Sequence, residues 1–595
     1  VLSRADIAER LRRAALLLSV REQDRYRARA YETAADALDE LGGDLADLIA
    51  SGKLTEVRGI GASLAEVITD LARTGHSAKI ERIESDSGIP PDLAALATVP
   101  ALTLRRLRLL AETLGVTGPD DLRAALEGGA ALAIPGLGAK TVAAMRKALD
   151  RARPPSGRAL EPETVPGPGA AAGARPAGEP APGGPPPVLL VDGLAWGDRL
   201  VAHLAAVPEV TAAAVVGSLR RRREIVRDIN LLCASTAPER PLAALADLPA
   251  VTAVERRDAG RCVARLAGGP TVTLEVVAPA RYPAALVAAT GSAAHVARLA
   301  MRAAARGEGT AELPAAADEA GVYAALGLPF VPPELREEGD EVDAAAAGDD
   351  FGDLVTESDV RGLVHCHTVY SDGRHTVEEM ARAAEALGAE YLTITDHSPS
   401  AAYAGGVGLD RLHRQWEEIA RAQEQVKVRL LRGTESDILA DGSLDYPDDV
   451  LASLDVVIAS IHVRHKMDPA AMTERLVRAM RHPLFKIWGH ALGRLLLRRD
   501  PIACDVERVL DAIAGARAAI EVNGDPHRLD LEPRWIRAAR ARGIKFVIST
   551  DAHSTRELGN VRFGVAMARR AGLRRSDVLN TADAAAFAAA VRPAA

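Results

Sequence analysis

The sequence predicts a multidomain α + α/β protein, with a helical front, an α/β middle and a C-terminal distorted β/α barrel of seven strands. Three observations carry this prediction. Seven short apolar runs between Val360 and Ser554 each end in a residue able to bind a metal. Apolar residues recur at three- and four-residue spacing through the front. A Pro/Gly/Ala-rich stretch over residues 151–187 holds too few large apolar side chains to fold and reads as a disordered linker. At 595 residues the chain is several domains long and can bury ample core.

Composition narrows the partners. The formal net charge of -8 gives no global attraction to nucleic acid or to an anionic membrane, so contact with a polyanion rests on local patches or backbone amides. Cys233, Cys262, Cys366 and Cys504 lie far apart with no CxxC pair, which fits a reducing cytoplasm and argues against a cysteine-ligated zinc site. The opening Val-Leu-Ser-Arg-Ala-Asp is charged almost at once, so no signal peptide is expected. No run of 18 apolar residues occurs, and neither a membrane span nor a membrane partner is expected.

In the front, residues 1–150, helices are predicted over Ile7–Ser19 and Arg27–Leu41. Val57-Arg-Gly59-Ile-Gly61 places a tight glycine turn before an amphipathic helix, and Ile134-Pro-Gly136-Leu-Gly138 repeats the design. Such a turn leaves backbone N–H groups at a helix N-terminus free to meet a phosphate. A bare αα-hairpin turn needs glycine for its conformation alone, but two copies favour DNA. The pattern resembles the helix-hairpin-helix motif that grips the DNA backbone. Val99-Pro100-Ala101-Leu102-Thr103 falls where a third hairpin is expected and lacks its glycines.

The middle, residues 188–335, contains Val215-Val-Gly217-Ser218-Leu-Arg220-Arg221, followed by Asp228-Ile-Asn230 on a second strand. This resembles the nucleotidyltransferase palm of family X DNA polymerases. The resemblance implies that Gly217, Ser218 and Arg221 face an incoming triphosphate, with Asp228 a ligand for Mg²⁺. Two further family carboxylates are replaced here, by Asn230 and Thr273. Losing two of three anionic ligands removes most of the charge that holds a two-metal site, so polymerisation is expected to be weak or lost. Glu275 lies two residues from Thr273 on the same strand face and is the one visible substitute. The family's lyase step needs a lysine on the helix after the first hairpin; Ala62–Ile68 has none, so that route is not expected.

Thr290-Gly291-Ser292 through His295, and Val322 through Glu337, also resemble the family's palm and thumb. An acidic linker over 336–358 is then expected before residues 359–595. The apolar runs there end at His365-x-His367, Asp396-His397, Glu435, His462, His490, Asn523 and Asp551-x-His553, with Asp372 just after the first. Between them, Thr376 to Glu379 forms a capping box for a helix over Val377–Leu387, Asp505 caps one over Val506–Ala514, and Pro533 opens another.

These residues and their order resemble the PHP (polymerase and histidinol phosphatase) domain that follows the polymerase core in bacterial family X enzymes. The resemblance implies a three-metal cluster of Mn, Zn or Fe. His365, His367, Glu435 and Asp551 would surround one ion, and Glu435 would bridge to a second held by His462 and His490. The third would take Asp372, His397 and His553. His365, His367, Glu435 and Asp551 are the expected catalytic set. His375, His413, His465, His482 and His527 read as packed or solvated side chains. Arg494 and Arg528 follow strand ends and are placed either to orient a substrate phosphate or in surface ion pairs.

The expected function is a metal-dependent 3'-5' exonuclease of DNA repair, acting in the cytoplasm on gapped DNA or a 3'-ended primer-template. The alternatives are an active repair polymerase with an editing PHP domain and a histidinol-phosphatase-like small-molecule phosphatase. Oligomeric state is left open.

Overall fold

The structure, a computed structural model, describes residues 4–18, 25–39, most of 45–149, 187–266, 270–306 and 312–593. It divides into two compact units, residues 1–174 and 175–595. Residues 151–186 of the expected linker at 151–187, Gly136, and Val99, Pro100, Ala101 and Thr103 lie outside the described residues.

In the first unit, helices Arg4–Leu18 and Arg25–Asp39 pack with Ala62–Thr74 and Ala78–Asp86. Their apolar faces meet through Ile7, Leu11, Leu38, Val67, Ile68 and Leu71, all fully buried. The first glycine hairpin follows the 3-10 turn Leu54–Glu56. Gly59 sits at φ 93°, where a side chain would be strained and its Cβ would meet the Thr33 methyl at 3.0 Å. Gly61 is the extended N-cap of Ala62–Thr74. At the second hairpin, Thr141 N and Val142 N donate to Gly138 O at 2.8 and 3.0 Å, so Gly138 again stands at a helix start.

The second unit opens with the α/β middle. Its strands are β1 (Val188–Leu189), β2 (Val210–Val216), β3 (Ile225–Val226), β4 (Asp228–Ser235), β5 (Val251–Arg257), β6 (Arg261–Leu266) and β7 (Thr271–Val277). Five form one sheet in the order β2-β4-β7-β6-β5, while β1 and β3 pair separately. Strands β4 and β7 run parallel, which sets Asn230 beside Thr273 and Leu232 beside Glu275. Helices Tyr282–Thr290, Ala293–Ala305 and Glu319–Ala325 then enclose Val287, Leu299, Val322 and Tyr323.

The acidic segment 336–358, expected as a linker, is folded instead. It forms helix Asp340–Ala346 and buries Val342, Ala345 and Phe351 in that same core. Glu341, which reads as solvated acid in the sequence, is buried 2.5 Å from His295 Nδ1. A distant partner outweighs local composition here.

The barrel follows the expected order. Its strands are β8 (Gly362–Cys366), β9 (Tyr391–Ile394), β10 (Arg429–Asp437), β11 (Val456–Ser460), β12 (Ile487–Trp488), β13 (Ala519–Asn523) and β14 (Lys545–Ser549). They pair sequentially and in parallel. Almost every strand residue is buried, as a parallel sheet under a helical coat requires. The ring nearly closes beyond β14: Thr550 N donates to Val364 O at 3.0 Å and His367 N to Ala552 O at 2.8 Å.

The expected helices lie between the strands as Val377–Ala386, Val506–Ala516 and Pro533–Ala541, the first two capped by Thr376 with Glu379 and by Asp505. Middle and barrel share one continuous core, which includes Leu190, Ile229 and Val272 as well as Met472, Phe485 and Phe546. Among the described residues, no helix is long and apolar enough to cross a membrane.

Candidate metal centre of the barrel

All seven apolar runs end at one rim, and their terminal side chains converge. His365 and Asp551 adopt left-handed φ of 66° and 49°, a strained backbone for these residue types that turns both side chains into the rim. Glu435, at 1% exposure, is central. Its Oε2 lies 3.0 Å from His397 Nδ1, 3.3 Å from His365 Nε2 and 3.6 Å from His367 Nε2. Its Oε1 lies 2.7 Å from His490 Nε2 and 3.1 Å from His462 Nε2. Asp551 Oδ1 is 3.4 Å from His367 Nε2, while Asp372 Oδ1 is 3.5 and 3.6 Å from the Nε2 atoms of His553 and His397.

Three groups gather tightly enough to hold a cation: His367, Asp372, His397 and His553; His365, His367 and Asp551; and His397, Glu435 and His462. Their membership differs from the expected grouping. His367 belongs to two groups, and His397 joins Glu435 and His462 as well as Asp372, because its ring stands between the two carboxylates.

The donor set fits divalent cations. His365 Nε2, both His367 ring nitrogens, Asp372 Oδ1, His397 Nδ1 and both Glu435 oxygens are buried without a hydrogen-bond partner. Burying so many orphan ligand atoms is costly unless a cation takes them. Titration behaviour agrees. Burial pushes the Glu435 carboxyl up, but His462, His365, His397 and His490 outweigh it and hold it well below the usual range. Burial, with His553 and His397 nearby, lowers His367 to about 3, leaving a neutral imidazole of the kind that binds metal. Burial acts against His462 too, yet Glu435 and Asp437 raise it to about 9, a sign of surplus negative charge.

Glu521 and Asp437 escaped the sequence reading, while the run ends Asn523 and Asp396 support the site rather than ligate. Glu521 Oε1 is 2.5 Å from His365 Nδ1, so the other ring nitrogen is the one turned to Glu435. Glu521 lies two residues before Asn523 on β13, and this period of two was its available signal. Asp437 does the same for His462 at 3.1 Å and stands two residues after Glu435. Asn523 donates to Asp551 Oδ2 at 3.1 Å and is a supporter of the site. Asp396 accepts from Thr368 N and Oγ1, Ser371 N and Gln415 Nε2 at 2.6–3.1 Å, fixing the loop that carries Asp372.

The two arginines part company. Arg528 Nε lies 3.2 Å from Asp551 Oδ2 and its buried Nη1 has no hydrogen-bond partner. Arg494 is corrected: it does not face the cluster as a free phosphate donor. Its guanidinium is buried, donating to Arg528 O at 2.9 Å and to Leu529 O, with Glu224 at 3.5 Å and Glu532 at 3.4 Å.

In the middle domain, Gly217 has φ 62° and a Cβ there would stand 3.3 Å from Asn230 Nδ2. Asn230 Nδ2 in turn donates to Asp228 Oδ2 at 2.6 Å. Arg223 N donates to Ser218 O. The basic turn is engaged within the protein. Arg220 grips Glu319 with two nitrogens, and Arg221 donates to Thr290 O at 2.7 Å and lies 3.0 Å from Glu337. In the front, Lys79 from the next helix reaches the lysine-free helix after the first hairpin, 2.6 Å from Glu66 Oε2 and 3.1 Å from Ser63 Oγ.

Comparison with known proteins places this architecture. Residues 3–77 match the helix-hairpin-helix domain and residues 364–524 the PHP domain. The DNA polymerase/3'-5' exonuclease PolX of Bacillus subtilis (strain 168) is 30% identical over 588 residues, 97% of each chain. The chain belongs to the PolX family. Smaller proteins are similar over about a third of this chain. A "Probable phosphatase" of Thermoanaerobacter sp. (strain X514) is 28% identical over 229 residues, 36% of this chain and 89% of that one. A "Probable phosphatase" of Caldanaerobacter subterraneus subsp. tengcongensis is 29% identical over 229 residues, 36% of this chain and 85% of that one. PolX membership and the PHP match make the protein a phosphoesterase of the exonuclease kind.

Proposed function

We propose that the protein is a metal-dependent 3'-5' exonuclease of DNA repair whose chemistry lies in the barrel and whose polymerase activity is weak or lost. The observation that carries this reading is a contrast between two sites. The barrel gathers nine ligand-type residues, many with buried, unpartnered donor atoms, while the middle retains Asp228 beside Asn230 and Thr273. Glu275 is a poor substitute. It pairs with Leu232, one side-chain repeat or about 7 Å along the strand from the Asn230–Thr273 pair.

His365, His367, Asp372, His397, Glu435, His462, His490, Asp551 and His553 would hold Mn, Zn or Fe ions, which this mixed imidazole and carboxylate shell suits. When bound, such ions supply Lewis-acid activation of water and neutralise charge on the phosphoryl group. The protein's own groups do the rest. His365, His367, Glu435 and Asp551 form the catalytic floor, Glu521 and Asp437 fix the imidazoles of His365 and His462, and Arg528 offers Nη1 to a phosphate oxygen. DNA is positioned by backbone amides at the Gly59–Gly61 and Gly136–Gly138 hairpins, and gapped or 3'-ended primer-template DNA is the proposed substrate.

A 3'-labelled primer-template with Mn²⁺ tests this. Release of mononucleotides by the wild type and its loss in His365→Ala are expected; equal release by the variant overturns the assignment. The likeness of a third of the chain to the two probable phosphatases favours a second reading, a small-molecule phosphatase. Hydrolysis of histidinol phosphate without release of nucleotides from DNA would select it.

A further inference from the structure

Tyr403 stands out at the metal rim. It lies in the short helical turn Ala402–Ala404 after β9 and is 65% exposed, an unusual position for a large aromatic ring. Its ring centroid is 6.1 Å from that of His397 and 6.0 Å from that of His462. The turn is firmly held. Ala401 and Ala404 are buried, Ser400 N donates to Asp445 at 2.7 Å, Gly406 N to Ala401 O at 3.1 Å and Val407 N to His397 O at 2.8 Å. The ring is therefore presented to solvent by a rigid support.

Other loops at the same rim also expose apolar side chains. Val369, Val463 and Leu497 are 48%, 41% and 48% exposed in the loops after β8, β11 and β12, which carry His367, His462 and His490. A substrate consisting of phosphate and a small polar body gains little from such a rim. A nucleoside has an aromatic base and an apolar deoxyribose face to lay on it.

We propose that Tyr403 is the base platform of the exonuclease site: the terminal base stacks on its ring while the scissile phosphate lies at the cluster one nucleotide's reach away. The proposal rests on the exonuclease reading and deepens it. Every base has a π face, so this platform grips any base without choosing a sequence. The ring, not the hydroxyl, is the working part.

The test compares single-stranded oligonucleotides ending in an ordinary 3' nucleotide or in a tetrahydrofuran abasic nucleotide, with Mn²⁺, for wild type, Tyr403→Ala, Tyr403→Phe and His365→Ala. Tyr403→Ala is expected to lose about ten-fold in kcat/KM on the ordinary end and nothing on the abasic end. Tyr403→Phe should match the wild type. An equal effect of Tyr403→Ala on both substrates, or a Phe variant as impaired as Ala, overturns the platform while His365-dependent cleavage leaves the exonuclease reading standing. Absence of any His365-dependent cleavage overturns both.

Discussion

Glu224 of the middle domain lies 2.6 Å from Arg570 of the barrel's last strand-following helix, Val561–Arg570, and 3.5 Å from Arg494. Burial pushes the Glu224 carboxyl up, but the two guanidinium groups outweigh it and hold it down at about 2. A lowered carboxylate pKa contributes stability that is present above the unfolded value near 4.5 and is lost as pH falls toward about 2. Glu224→Gln leaves two buried cations short of a partner and should cost about 3 kcal/mol near neutral pH. Denaturant unfolding at pH 7 and pH 3 checks this: the gap between variant and wild type should narrow at the lower pH.

Glu521 should matter nearly as much as a ligand. With its oxygen 2.5 Å from His365 Nδ1, Glu521→Gln alters the tautomer and aim of that ring. A 10- to 100-fold loss in metal affinity or nuclease rate is expected, on the order seen when such supporting carboxylates are removed. Calorimetric Mn²⁺ titration beside the nuclease assay separates weaker binding from misplacement.

Metal removal should reach the fold as well as the activity. Atoms of His367, Glu435 and Asp372 are buried with no hydrogen-bond partner in the protein, so chelation is expected to lower the melting temperature and Mn²⁺ to restore it. Scanning calorimetry with and without chelator reads the shift; identical melting curves would contradict the cluster.

The middle domain should be catalytically quiet. Primer extension with dNTPs and Mg²⁺ is expected at background for the wild type and for Asp228→Ala alike. Asp228→Ala should keep its exonuclease rate, since Asp228 lies outside the three barrel groups.

The barrel was legible because each strand ends in a residue type that is rarely buried without a partner, and His365, Glu435 and Asp551 meet as their strand positions imply. What stayed hidden depends on contacts far apart in sequence. Arg494 looks like a loop arginine until Glu224, 270 residues earlier, is placed beside it. Glu341 looks solvated until His295 arrives across 46 residues. The sharing of His397 between Asp372 and Glu435 is a matter of ångströms, which residue order does not record.

The Glu224–Arg494 contact also bears on inheritance. Arg494 carries the Arg528 and Leu529 carbonyls on the same guanidinium that meets Glu224, so the loop presenting Arg528 to Asp551 is braced from the neighbouring domain. Selection on the barrel's chemistry would then act on the neighbouring domain too, because that domain is a buttress for the Arg528 loop. A barrel without that domain would lose the Glu224 carboxylate from both Arg494 and Arg570, and Arg494 would be left with Glu532 as its counter-ion.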